Sequence, residues 1–548
     1  MNLWLLLRRE ALHDLMPIVW LAIGAGTANL LVLIILNETL VHMMEASEII
    51  RFSLMFAISA ALFTILQKKL MYQTASRIEQ ALRLRRDELL DRICDTGILQ
   101  LWSIGANRIV EVVGNEINVV SETVPVLVIG LHSIVVLFLS FLYLLYISNL
   151  AAVLVLIVMF LSTVIGLRLV RRMVDIAHDA HVGKGLLVDH VSALIKGIRE
   201  AKINPLRLYD IKQEIHYCSN IITERRMLFN MHYSYDYTWA ELSFYSLLAV
   251  TIFIMPLFVF MRVEDESMII NAISFLIYPL QVLVSSFPTY MQAENAAKAI
   301  RAVEQRLAEN PVSSVPKMTT TESDWGDFDT IILEQLRFSY QDVSSSLFQV
   351  GPLNWTIQRG QVVFISGGNG SGKSTLIHML LGLYPAQGGA IYVDGNLVQK
   401  SNLSLYQQMF SVVFYDICVS QNLYGIANFD EDLADQLLEI FEMREKVRIS
   451  NRSYSTVDLS GGQRKRLVLM SAILEKKPIL ILDEWASDQS PEFRDKFYRH
   501  VVPWLKARGT TLIAITHDDA YFDVADHLLH MEHGEIAWIK HQGSTESK

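Results

Sequence analysis

Nine residues, "GGNGSGKST" at 367–375, carry the most specific chemistry in the chain. Glycine backbone reaches left-handed conformations and approaches closely, so several N–H groups can converge on one anion. The loop follows the apolar run "QVVFIS" and opens "STLIHMLLGL". A strand should therefore deliver it, and a helix N-terminus should receive phosphate. Gly367, Gly368, Asn369, Gly370, Ser371 and Gly372 are candidate phosphate contacts, with Lys373 on the β- and γ-phosphates. Ser374 is a candidate Mg2+ ligand, and Thr375 completes the loop. ATP with Mg2+ is the cofactor pair this pattern calls for.

A second stretch, "ILILDEWASDQSPEF" at 479–493, runs four apolar residues into two acids. A buried strand of that kind would present Asp483 to Mg2+ and Glu484 to the attacking water. His517, in "AITHDD", also ends an apolar run and could reach the γ-phosphate. Between these lies "LSGGQRKR" at 459–466. Ser460, Gly461, Gly462 and Gln463 would start another helix whose N-terminus suits an anion. One chain cannot easily bring two phosphate-binding helix ends onto one γ-phosphate. Two copies arranged head to tail can, with nucleotide between Lys373 of one and Ser460 of the other, so the pattern calls for a homodimer.

These residues need a scaffold. From about 328 onward, short β-rich runs alternate with helical ones, which predicts an α/β domain at 328–541 with a largely parallel sheet. A seven-residue tail, 542–548, follows it. The polar stretch "ENPVSSVPKMTTTESDWGD" predicts a linker at 309–327. Residues 1–308 are of another kind. The chain is 52% hydrophobic and 19% charged, against about 25% charge in average soluble domains. The apolar excess falls into six candidate membrane spans: 15–36, 52–66, 124–147, 150–167, 237–261 and 268–290. Each approximates the ~20 residues that cross ~30 Å of hydrocarbon.

Arg8 and Arg9, Lys68 and Lys69, Arg168, Arg171 and Arg172, and Lys298 and Arg301 fall on one side of these spans. Glu38, Glu45, Glu48, Glu264, Asp265 and Glu266 fall on the other. The bias predicts cytoplasmic N- and C-termini. Two long cytoplasmic excursions, about 67–121 and 168–235, read as helices that each reverse once, at Asp95-Thr96-Gly97 and at Asn204-Pro205. Asn29, His132, Gln281 and Glu241 are polar candidates within or beside the spans. The run at 233–245 reads as an interfacial aromatic belt, with a substrate-stacking surface as the alternative. The net charge of −10 argues against a nucleic-acid partner. Cys94, Cys218 and Cys418 form no metal or disulfide pattern.

The motifs in this order resemble those of ABC transporters, and six spans before one such domain resemble an exporter-type half-transporter. The resemblance implies a membrane all-α, six-helix transmembrane domain followed by an α/β P-loop nucleotide-binding domain. It implies twelve spans in a homodimer, adenine stacking on Tyr340, and intracellular tips near 98–104 and 206–212 that dock on the ATPase domains. Longer strings, "DEWASDQSPEFRDKFY", "AITHDDAYFDVADHLLHMEHGEI" and "GIREAKIN" among them, resemble the cyclic-peptide exporters of syringomycin and pyoverdine type. That resemblance implies ATP-driven export of a peptide-derived small molecule, such as a lipopeptide or siderophore precursor, across a bacterial inner membrane. A periplasmic or outer-membrane partner is left open. A lipid or multidrug exporter, or an ATP-gated channel or sensor, are the alternatives.

Three departures from the family pattern bear on coupling. Tyr415 stands where most members carry a Mg2+-ligating glutamine. Ser487-Asp488-Gln489-Ser490 stands where most have Ser-Ala-Leu-Asp. The segment between Tyr415 and Leu459 is short and lacks the usual Val-Gly-Glu-x-Gly element. Lys373, Asp483, Glu484 and His517 are all retained, so a working ATPase with altered transmission is expected.

Overall fold

The computed structural model describes residues 16–41, 46–257, 263–309, 328–340, 348–426 and 428–541. Most of the expected linker and the tail at 542–548 lie outside them, as do Arg8, Arg9, Glu45 and most side chains of 162–182. The chain divides into two compact units, Met1–Ile93 with Ile104–Glu309, and Cys94–Ser103 with Asn310–Lys548.

The first unit is helical. Ala46–Asp95, Asn149–Lys196 and Pro205–Ala249 are single helices of 50, 48 and 45 residues. At 1.5 Å per residue each is about 70 Å long, roughly twice the hydrocarbon thickness, so each can cross a bilayer and project beyond it. Among the described residues, five helices are long and apolar enough to span: Met16–Thr39, Ser47–Asp95, Ala106–Ile147, Pro205–Ile254 and Glu266–Ala308. Asn149–Lys196 begins with a shorter apolar stretch, Asn149–Leu161. It packs along Pro205–Ala249, and Ile277–Ala308 packs along Ile117–Ile147.

Both reversals fall where turn chemistry predicts. Thr96 and Gly97 separate Asp95 from the short helix Ile98–Ile104. The Asn204 carboxamide oxygen accepts from the Leu206 and Arg207 N–H groups at 3.1 and 3.2 Å, and Pro205 opens the next helix. At the second reversal the short helix Ile198–Ile203 precedes Asn204, and 206–212 opens the long helix Pro205–Ala249.

Among polar groups in the spans, His132 is buried and stacks on Phe63 at 6.0 Å. Asn29, Gln281 and Glu241 are only partly buried. The sequence reading passed over Asn37, which is fully buried and donates to the Tyr143 hydroxyl and the Met268 carbonyl. In the run 233–245, Tyr235 and Tyr245 are exposed and Phe244 is buried.

The nucleotide-binding unit carries two larger sheets and a small antiparallel pair, β7 (Ile449–Ser450) with β8 (Ser453–Tyr454). Strands β1 (Thr330–Ser339), β2 (Gln349–Gln358), β4 (Gly388–Val393) and β5 (Asn396–Leu397) form an antiparallel sheet in the order β2-β1-β4-β5. This sheet was not separated from the parallel one in the sequence reading. The other contains β3 (Val362–Gly367), β6 (Phe410–Val413), β9 (Ile479–Asp483), β10 (Thr511–Ile515), β11 (His527–Glu532) and β12 (Glu535–His541), in the order β12-β11-β3-β10-β9-β6. All neighbours are parallel except the β11–β12 edge pair. A strand covered on both faces reads as an unbroken apolar run, and every residue of β3, β9 and β10 is buried. Alternation splits them between two cores. Phe364, Leu480, Leu482 and Leu512 face one, and Ile365, Ile479, Ile481 and Ile513 face the other.

Candidate functional site

Register brings the chemistry together. Ile515 of β10 lies beside Asp483 of β9 and Ile365 of β3, so three adjacent strands end on one line. That edge is where open parallel sheets bind ligands. Gly367, Asp483 and the residues leading to His517 all emerge there.

The loop after β3 depends on its glycines. Gly367 has φ 145°, and a Cβ there would stand 2.3 Å from the Met531 carbonyl. Gly372 has φ 100° and caps the helix Lys373–Leu380. The loop tip, Gly368, Asn369 and Gly370, is exposed, whereas Ser371 is buried with no partner for its hydroxyl. An orphaned hydroxyl among convergent N–H groups fits an anion. Lys373 is 6% exposed and donates to the Gly367 and Gly368 carbonyls, both at 2.9 Å. Burial lowers its pKa, and Glu484 and Asp483 oppose that shift.

Asp483 is 6% exposed. Burial, then the neighbouring Glu484, raises its pKa, while a hydrogen bond from Ser374 lowers it. A hydroxyl and a carboxylate in contact at a phosphate loop are the sparse oxygen set that Mg2+ accepts, the remaining positions going to phosphate and water. Among the described residues no group of three or more His, Cys, Asp or Glu could hold a metal by itself. Tyr340 directly follows β1, and its hydroxyl shares a hydrogen bond with Thr375 at 3.1 Å. Its ring meets Phe338, Phe348 and Tyr384 at 5.0, 6.4 and 6.0 Å, an aromatic wall suited to a base.

Glu484 is in the left-handed region, φ 48° and ψ 34°, a conformation costing about 1–3 kcal/mol in a non-glycine residue. Its carboxylate Oε1 lies 3.3 Å from His517 Nε2. Asp518, next to His517, accepts from Arg494 and Tyr498, both at 3.0 Å, so the histidine stands on an anchored segment.

Ser460, Gly461 and Gly462 start the helix Gly461–Leu474 with a capping box. Ser460 Oγ accepts from Gln463 N at 3.4 Å, and Gln463 Oε1 accepts from Ser460 N at 3.3 Å. The Gln463 amide is therefore occupied locally. Ser460 and Gly461 are exposed, and the backbone nearest Gly462 is Asp488, not the phosphate loop. The structure thus gathers 367–375, Asp483, Glu484 and His517, and leaves Ser460 to Gln463 outside that group.

A family model described as ABC transporter matches residues 350–487. The energy-coupling factor transporter ATP-binding protein EcfA1 of Streptococcus pneumoniae is 30% identical over 218 residues, covering 38% of this chain and 78% of that protein. The chain belongs to the ABC transporter family. The ATP-binding protein SyrD of Pseudomonas syringae pv. syringae is 33% identical over 362 residues. That alignment covers 64% of this ABC transporter and 63% of SyrD, less than two thirds of it. A solved bacterial Atm1-family ABC exporter with ATP bound superposes with TM-score 0.76 over 98% of this chain and 95% of that one, at 14% identity. The fold is therefore the exporter fold, a membrane all-α domain followed by an α/β nucleotide-binding domain.

Trp485 was given no role by the sequence of this ABC transporter, and the departures at 415, 489 and 490 make contacts that the sequence did not indicate. Trp485 is 2% exposed and packs on Phe441, Phe493 and Phe497, with Nε1 donating to the Lys465 carbonyl at 2.8 Å. Gln489 is 5% exposed. It accepts from Arg466 and donates to the Gly462 carbonyl, both at 3.0 Å. A tryptophan directly after the strand-ending acids was the one available signal. Ser490 caps the helix Pro491–Lys496. Tyr415 is 55% exposed, with Lys465 Nζ 5.1 Å from its ring centroid.

Proposed function

We propose that the protein is an ATP-driven exporter that works as a homodimer and carries a peptide-derived small molecule across a bacterial inner membrane. One observation carries the reading. Lys373, Ser374, Asp483, Glu484 and His517 lie together past the ends of β3, β9 and β10, while the capped, exposed helix start at Ser460 lies elsewhere in the same chain. A second copy, head to tail, supplies the missing helix end. In this reading Lys373 holds the β- and γ-phosphates, and Ser374 and Asp483 hold Mg2+. Tyr340 stacks on adenine, Glu484 orients and deprotonates water, and His517 keeps Glu484 and the γ-phosphate in register. Bound Mg2+ supplies charge neutralisation between the phosphates.

The resemblance to cyclic-peptide exporters supplies the cargo class. A cavity of about 310 Å³ in the helical unit is compatible with it. Lys184, Arg226, Asn115 and Gln292 give it charge and amides, and Phe229 and Met291 give it apolar walls. The π-helical turn Val112–Glu116 and the mid-helix Pro288 both border it, and such irregularities cluster at functional positions. A deletion strain should lose one secreted peptide-derived product by mass spectrometry, and wild type but not Glu484→Gln should restore it. An unchanged secreted profile overturns the cargo reading. Equilibration of that product in sealed vesicles without ATP-dependent accumulation would favour a channel.

A further inference from the structure

Lys465 is a lysine where burial should forbid one. It sits in the first turns of the helix Gly461–Leu474, and its side chain is 5% exposed. An ammonium that far from water needs partners. It has three, two from the turn that follows β9 and one from the stretch that follows β6. Asp488 Oδ2 lies at 2.7 Å, the Glu484 carbonyl at 3.4 Å, and the Tyr415 ring centroid at 5.1 Å, a cation–π distance. The Lys465 backbone is held as well, by the Trp485 indole.

Two of these partners are departures from the family pattern. Tyr415 replaces the usual glutamine, and Asp488 occupies the alanine position of Ser-Ala-Leu-Asp. Both point their chemistry at one cation, a π face and a carboxylate. The third partner is the backbone of the residue read as the water-activating base. The Glu484 carbonyl accepts from Ser487 Oγ at 2.8 Å, Ser487 N at 3.4 Å and Lys465 Nζ at 3.4 Å. Glu484 is held left-handed, so these donors fix a peptide plane that would otherwise relax and swing the carboxylate away from His517.

We propose that Lys465 is a positioning residue for hydrolysis. Its ammonium ties Tyr415, Asp488 and the Glu484 carbonyl into one knot, so that displacement of the Ser460–Gln463 helix start is felt at the Glu484 carboxylate. The departures at 415 and 488 are thereby a matched set that takes over transmission within the chain. This rests on the reading of Glu484 as the base.

The test uses the full-length protein in nanodiscs. Lys465→Met should lower kcat for ATP hydrolysis about tenfold, a modest share of what misplacing a reacting group can cost, with KM for ATP and binding of a fluorescent ATP analogue essentially unchanged. Lys465→Arg should recover most of the rate. Asp488→Asn should lower kcat in the same direction, and the Lys465→Met/Asp488→Asn double variant should be no worse than Lys465→Met alone. Wild-type kcat in Lys465→Met overturns the proposal. So does a fall in kcat matched by weaker ATP binding and lower thermal stability, the signature of plain structural damage. If Lys465→Met does not fold, Asp488→Asn decides, and an unchanged kcat there overturns the proposal. Glu484→Gln run in parallel separates the two readings. Wild-type hydrolysis by Glu484→Gln removes Glu484 as base, whereas an inactive Glu484→Gln beside an unaffected Lys465→Met removes only the role of Lys465.

Discussion

The phosphate loop at 367–375 and the turn at 485–490 stand at the ends of two strands of one sheet, and they are built on opposite principles. The loop is backbone. Gly367, Gly370 and Gly372 take conformations other residues avoid, and in the proposed reading backbone N–H groups and one lysine hold the phosphate. The turn is side chain. Trp485 wedges into an aromatic core, Gln489 bonds the Gly462 carbonyl, Asp488 pairs with Lys465, and Ser490 caps the next helix. Gly367, Gly370 and Gly372 hold positive φ and tolerate little change of residue type, so these positions keep the family pattern. The turn can change its residues as long as the contacts close again, and here they have.

Three substitutions press on that contrast. At the acid that joins the two regions, Glu484→Gln should cut ATP hydrolysis about 10³-fold, the scale of losing a positioned general base, while leaving ATP binding intact. Hydrolysis at near wild-type rate would break the account of the site. Trp485→Ala should cost about 3–5 kcal/mol of stability, as large aromatic truncations in cores do. It would appear as a lower thermal midpoint together with reduced ATPase, and an unshifted midpoint would deny the turn its anchor. Ser490→Ala should cost about 1 kcal/mol, the value of an N-cap, with little change in hydrolysis. A large ATPase loss would instead give Ser490 a contact across the dimer.

The smallest effect concerns pH. Lys496 first, and Arg466 after it, hold the Glu442 carboxylate below the usual carboxylate range, against a modest opposing effect of burial. A depressed folded-state pKa gives stability that is present above the unfolded value and is lost as pH falls through the folded one. Thermal midpoints should therefore fall more steeply below about pH 4.5 in wild type than in Glu442→Gln. Parallel slopes would show that these contacts carry no measurable share.

Much of this was legible because strong physics is local. Apolar runs betrayed the spans and the buried strands, and glycine spacing betrayed the phosphate loop. Asn204-Pro205 fixed a helix boundary through a cap and a ring. The contacts of Lys465 were hidden because they join positions separated by 50 and 23 residues, 415 and 488, that meet only through sheet order. The antiparallel sheet escaped because β1 and β4 look like any other half-buried strands out of context.

The central claim is that each nucleotide is enclosed by Lys373 of one protomer and Ser460 of its partner. Tandem-linked dimers test it most directly, by ATPase rate. Lys373→Ala in one half and Ser460→Arg in the other should leave one complete site and measurable hydrolysis, whereas both substitutions in one half beside a wild-type half should spoil both sites. Activity in the second arrangement and none in the first would contradict the account.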